Sequence, residues 1–187
     1  NVHYCLVQFG IKCIAHCGNL KSILVASDNP NYSSKDGVLF SADGSTLVAY
    51  PEAKGSEYII PQGVTALADE AFRGNETITH VEFNEGLTSI GMLAFYDTLG
   101  LTGLQLPESL EIIGSGAFGG FITTSMERNA IGTLHLGKNI CWIGDSAFDV
   151  PHADNDQIVK YAQAVTAIAD TLGSNVKTFS MPVPNSA

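Results

Sequence analysis

One six-residue pattern recurs four times, and its spacing decides what the chain can fold into. Leu67-Ala68-x-x-Ala71-Phe72 is followed by Ile90-Gly91-x-x-Ala94-Phe95, Ile113-Gly114-x-x-Ala117-Phe118 and Ile143-Gly144-x-x-Ala147-Phe148. The phenylalanines stand 23, 23 and 30 residues apart. Self-similarity at roughly 20–29 residues marks a leucine-rich repeat, in which each unit adds one turn to a solenoid. The longer interval requires a seven-residue insertion, placed most simply within Ile122 to Ala130.

Each unit reads as two halves. Val64, Leu87, Leu110 and Ile140 precede the Leu or Ile of the motif by three residues. After the Phe come Ile78/Val81/Phe83, Leu101/Leu104/Leu106 and Ile131/Leu134/Leu136. Alternation at the last two of these positions is strand periodicity, so the strand half is expected after the Phe. The glycine after the Ile is expected in a tight turn, because glycine tolerates positive φ. The Ala is small where neighbouring units approach, and the Phe fills the core. No unit can bury its apolar face alone, so like residues must stack in ladders and stability becomes a sum of neighbour interfaces. The expected fold is a mainly β repeat solenoid: a right-handed coil with one short strand per repeat.

Residues 26–58 break the period. Val38-Leu39-Phe40 and Thr46 to Tyr50 read as strands around Asp43-Gly44, a strong turn dipeptide. The segment is expected to be an inserted β-hairpin, held by Tyr32, Leu39 and Leu47, whose removal leaves the stack folded. Tyr58 and Ile60 re-enter the register. Before the insertion, residues 1–25 read as a repeat missing its start, so the chain is expected to be a fragment of a longer protein. Residues 155–172 fit either a helix face through Ile158, Ala162, Val165, Ala169 and Leu172 or a degenerate repeat, and the register favours the repeat. Residues 182–187 are expected to be a mobile tail. The whole of 1–187 is read as a single domain, expected to be a monomer.

Charge narrows the function. With nine Lys and Arg against nineteen Asp and Glu, the formal charge is −10. That disfavours nucleic acid, whose phosphates need basic partners, and anionic membrane surfaces. No run of 18 apolar residues exists, so this segment is not expected to insert into a membrane. The four cysteines, Cys5, Cys13, Cys17 and Cys141, include no CxxC and are expected to be buried thiols that behave as small hydrophobes. The histidines are His3, His16, His80, His135 and His152, with no HExxH pair. His80 and His135 fall two repeats apart, about 10 Å at a strand spacing of ~4.8 Å, too far to share a metal. Gly114-x-Gly116-x-x-Gly119 matches a dinucleotide fingerprint, but the repeat accounts for it and no long helix follows. Asp69/Glu70 is expected to be a solvated turn pair. Asn31-Tyr32-Ser33 and Asn75-Glu76-Thr77 fit the glycosylation pattern. No catalytic residue, cofactor or metal site is assigned.

The stretches VTALADEAFRGNETITHVEF, LTSIGMLAFYDTLGLTGLQLP and LEIIGSGAFGG resemble the BspA-type leucine-rich repeats of microbial surface proteins, as does NPNYSSKDGVLFSADGSTLVAYP. The resemblance covers nearly the whole chain. It implies a secreted or cell-surface protein that adheres to host or matrix proteins or to other cell-surface proteins. Register gives two outward strand rows: Ser22, His80, Gly103 and Thr133, then Leu24, Glu82, Gln105, His135 and Lys160. From these, His80, Glu82, Gln105, Thr133 and His135 are the candidate protein-binding residues. A spacer stalk and an ancillary domain of a secreted enzyme are the alternative readings.

Overall fold

The computed structural model describes residue 14 and residues 17–101, 104–119 and 136–148. Its described strands are β1 (Tyr32–Lys35), β2 (Val38–Ser41), β3 (Thr46–Ala49), β4 (Glu57–Ile59), β5 (Ala66–Leu67), β6 (His80–Glu82), β7 (Ser89–Ile90), β8 (Ile112–Ile113) and β9 (Trp142–Ile143), with a 3-10 turn at Glu52–Lys54. They form a seven-stranded sheet in the order β1-β2-β3-β5-β7-β8-β9 and a two-stranded sheet, β4-β6. The insertion at 122–130, the alternatives for 155–172 and the tail lie outside the described residues.

The repeat motif supplies the long sheet. Leu67, Ile90, Ile113 and Ile143 align in parallel register across β5, β7, β8 and β9. This corrects the sequence reading, which put the unit's strand after the Phe and a turn at the Leu/Ile. A two-residue strand has no period of its own, so alternation cannot reveal it. The segments after Phe also pair, through β4 and β6, and these units therefore carry two short strands.

Aromatic stacking fills the interior. Phe72, Phe95, Phe118 and Phe148 lie with centroids 4.7, 5.2 and 5.3 Å apart and rings within 11° of parallel. Ala71, Ala94, Ala117 and Ala147 are buried beside them. Backbone bonds run from each unit to the next: Phe72 N–H to Ala94 O (2.7 Å), Phe95 N–H to Ala117 O (2.7 Å) and Phe118 N–H to Ala147 O (2.6 Å).

Glycine enters the motif for closeness, not for a turn. A Cβ on Gly91 would lie 2.5 Å from Asp69 N; on Gly114, 2.5 Å from Gly91 C; on Gly144, 2.4 Å from Ser115 N. Each meets the backbone of the preceding unit, which cannot swing aside. Positive φ falls two residues later, at Glu70 (60°), Leu93 (55°), Gly116 (62°) and Ser146 (54°). Both demands meet in Gly114-x-Gly116, which explains the dinucleotide-like spacing. Gly114→Ala is expected to cost about 2–3 kcal/mol, the upper range of overpacking. Ala68→Gly, in the same slot of the first unit, should cost no more than about 1 kcal/mol. Thermal melts of both decide it: a Gly114→Ala protein that melts like the parent contradicts the close-packing account.

Residues 32–49 form a three-stranded antiparallel unit rather than a hairpin. Its first loop, Asp36-Gly37, has both residues at positive φ (51° and 79°), the signature of a tight primed turn. In the second loop Asp43 accepts hydrogen bonds from Ser41 Oγ, Ser45 N–H and Ser45 Oγ. These donors, Ser41 foremost, hold its carboxyl down at about 2. The unit is not an appendage. Strand β3 pairs in parallel with β5, so Leu47 aligns with Leu67. Tyr50 takes the Phe slot, its ring stacked 5.0 Å from Phe72 and its N–H bonded to Ala71 O. Val38, Phe40, Leu47 and Tyr50 belong to the same buried cluster as the repeats. Leu39 is buried on the other face, whereas Tyr32 is only half-buried.

Candidate interaction surface

Strands β4 and β6 display one continuous face. Tyr58 and Val81 point inward, and burial pushes the Tyr58 phenol above its usual range. Their neighbours point out: Glu57 aligns with His80, and Ile59 with Glu82. All four are exposed, Ile59 by 65%. Gln105, exposed, continues the position one repeat further on. Three of the sequence-derived candidates, His80, Glu82 and Gln105, thus stand where register put them. Thr133 and His135 lie outside the described residues.

The rows begin differently from the sequence reading. Glu57 and Ile59, not Ser22 and Leu24, sit beside His80 and Glu82. Ser22 instead packs at Gly37, and Ile23 N–H bonds to Gly37 O. The signal was available: Glu57 and Ile59 precede His80 and Glu82 by one 23-residue step.

The long sheet carries a second exposed row, which the sequence reading did not identify. Ile112 and Trp142 are register partners, and each is 39% exposed. They occupy the position just before the motif Ile, held in earlier units by Ala66 and Ser89. Adjoining positions lock the units together: Thr65 Oγ1 donates to Ser45 O, Thr88 Oγ1 to Thr65 O, and Cys141 Sγ to Glu111 O. Cys17 and Cys141 are exposed free thiols, not the buried ones expected. A hydroxyl slot between strand and solvent accepts Cys as readily as Thr.

Two further expectations change. Glu70 is not solvated; its side chain is 4% exposed and pairs with Arg73 at 2.7 Å, while the neighbouring Asp69 accepts Met92 N–H at 2.7 Å. Asn75 is buried, and its Oδ1 accepts the N–H groups of Thr77 and Ile78, which withdraws that glycosylation pattern from solvent. Among the described residues no cluster of three His, Cys, Asp or Glu could hold a metal, and no helix is long and apolar enough to cross a membrane.

Units of 23 residues stacked in parallel register around an aromatic ladder define a leucine-rich-repeat protein. The model for the BspA type leucine rich repeat region matches in six copies across residues 49–150, more than half of the chain, which belongs to that family. Solved structures resemble it, three of them as follows. The pneumococcal vaccine antigen PcpA is 40% identical at a TM-score of 0.52, over 55% of this chain and 25% of that one. A leucine-rich repeat protein from Eubacterium ventriosum is 29% identical (TM-score 0.55, 58% and 30% covered). A leucine rich cell surface protein from Faecalibacterium prausnitzii is 26% identical (TM-score 0.60, 72% and 34% covered). The chain therefore spans a quarter to a third of the length of these proteins. No curated protein matches it.

Proposed function

We propose that this chain is a non-enzymatic protein-binding module of a secreted or cell-surface microbial protein, an adhesive stretch of a right-handed repeat solenoid. The observation that carries the reading is the β4–β6 face, where backbone pairing fixes Glu57, Ile59, His80 and Glu82 as exposed neighbours. Gln105 extends it, and Thr133 and His135 join on repeat register alone. The likeness to a pneumococcal vaccine antigen and to a cell surface protein supports an exterior location. The partner is a host or matrix protein or another cell-surface protein. Ile59 gives the face an apolar contact inside a polar surround, the arrangement in which interface energy concentrates.

The test is binding to a panel of immobilised extracellular-matrix and cell-surface proteins. An Ile59→Ala, His80→Ala, Glu82→Ala, Gln105→Ala variant that melts like the parent is expected to bind at least tenfold more weakly. Mixed charge on the face predicts only a mild response to salt. Equal binding by variant and parent removes this face as the site. A parent that binds nothing in the panel favours the spacer reading.

A further inference from the structure

The turns that follow the long sheet enclose a separate feature. An open cleft of about 310 Å³ lies between three successive units, lined mostly by apolar surface from Met92, Leu93, Tyr96 and Gly116, with Asp145 and Ser146 at its acidic side.

Three observations mark it as prepared rather than incidental. First, Leu93 holds a left-handed φ of 55°, a conformation that costs a bulky side chain roughly 1–2 kcal/mol. Glu70, Gly116 and Ser146 occupy the equivalent slots, so among the described units only this one places a branched apolar residue there. The strain is held by Leu93 N–H to Ser115 O (2.9 Å) and Tyr96 N–H to Leu93 O (3.1 Å). Strain of this kind persists where its surroundings over-determine it, and it collects at binding sites. Second, small residues keep the cleft open. Among the described units Gly116 is the only glycine in its slot, and a Cβ there would meet Leu93 Cδ2 at 2.6 Å. Third, the Tyr96 ring is fixed. Arg73 sits 5.2 Å over it, and Glu70 holds Arg73 in place. Met92, 41% exposed, gives the rim a flexible, polarizable surface that adapts to what enters.

Size and charge choose the occupant. At about 310 Å³ the cleft is at the small end of ligand pockets, which run from roughly 300 to 1,000 Å³, and a single large side chain suits it. Its lining offers few groups to orient a sugar or a nucleotide. Among the described residues the one ion pair is Arg73–Glu70, so Asp145 and Asp97, which follows Tyr96, have no cationic partner there. We propose that the cleft receives one bulky apolar side chain of a protein segment carrying lysine or arginine beside it. Affinity from one side chain is low, and it becomes useful when a second contact, or many copies, supply avidity.

Amide-resolved NMR titration of the whole chain tests this with three peptides: Lys-Lys-Phe-Lys-Lys, Lys-Lys-Ala-Lys-Lys and Glu-Glu-Phe-Glu-Glu. The first is expected to shift Leu93, Tyr96, Gly116 and Ser146 saturably, with the other two at least tenfold weaker. Asp145→Lys, an exposed change, should weaken the first peptide at least threefold and strengthen the glutamate peptide. Equal shifts with the alanine peptide, or shifts confined to His80–Glu82, overturn the proposal. So does the absence of any shift at millimolar peptide. The readout is independent of the matrix-binding assay, so either can fail alone.

Discussion

Phe95→Ala is expected to lower stability by about 3–5 kcal/mol, the range for removing a fully buried aromatic. Phe95 is 0% exposed and stacks on Phe72 at 4.7 Å and Phe118 at 5.2 Å, with Phe83 edge-on at 5.9 Å. Truncation removes contacts on three sides and leaves a void that neither flanking unit can close, since the backbone of each is hydrogen-bonded to the Phe95 unit between them. Phe148, 8% exposed and stacked on Phe118 at 5.3 Å, should lose clearly less on the same change. Denaturant melts of the two variants measure the difference. Losses below about 1 kcal/mol in both would mean that the aromatic ladder is not the core.

Excising residues 26–56 and joining Val25 to Glu57 is expected to unfold the first repeat. Leu47 is 0% exposed and Tyr50 4% exposed, and both pack on the repeat core. Each truncation alone should cost about 2–5 kcal/mol. The excision removes both together with Val38 and Phe40, a loss comparable to the roughly 5–15 kcal/mol that holds a whole domain together. It would also strip the hydrogen-bonded edge from β5. Circular dichroism melts and protease protection around Leu67 report the result. A variant that melts at the parental temperature would restore the view of this segment as an appendage.

The Phe ladder was legible because a large residue returns at a constant interval, and no local conformation has to be guessed. The antiparallel unit was half legible. Asp43-Gly44 was read as a turn, yet Asp36-Gly37 carries the same dipeptide and makes the tighter loop. Its role was hidden because Tyr50 replaces Phe and follows Leu47 by three residues, where Phe72 follows Leu67 by five. Treating the stretch as a break then removed Glu57 and Ile59 from the candidate face. Backbone closeness was illegible in a different way. Gly91 and Gly116 are the same letter, but one answers the backbone of the neighbouring unit and the other its own φ. Leu93 shows why that φ could not be inferred: packing imposes it on a residue that would not choose it.

The unit's two broad sides match the same kind of partner. Phe95 meets one phenylalanine above and another below, and the Thr88 hydroxyl reaches back just as the Thr65 hydroxyl does. A tandem gene duplication that keeps the 23-residue step therefore inserts a segment whose interfaces already exist on both sides. Recombination can lengthen such a chain, or shorten it, without a new core mutation. Outward positions are then free to diverge copy by copy, as Ala66, Ser89, Ile112 and Trp142 have done in one slot. Reach and recognition can be inherited separately.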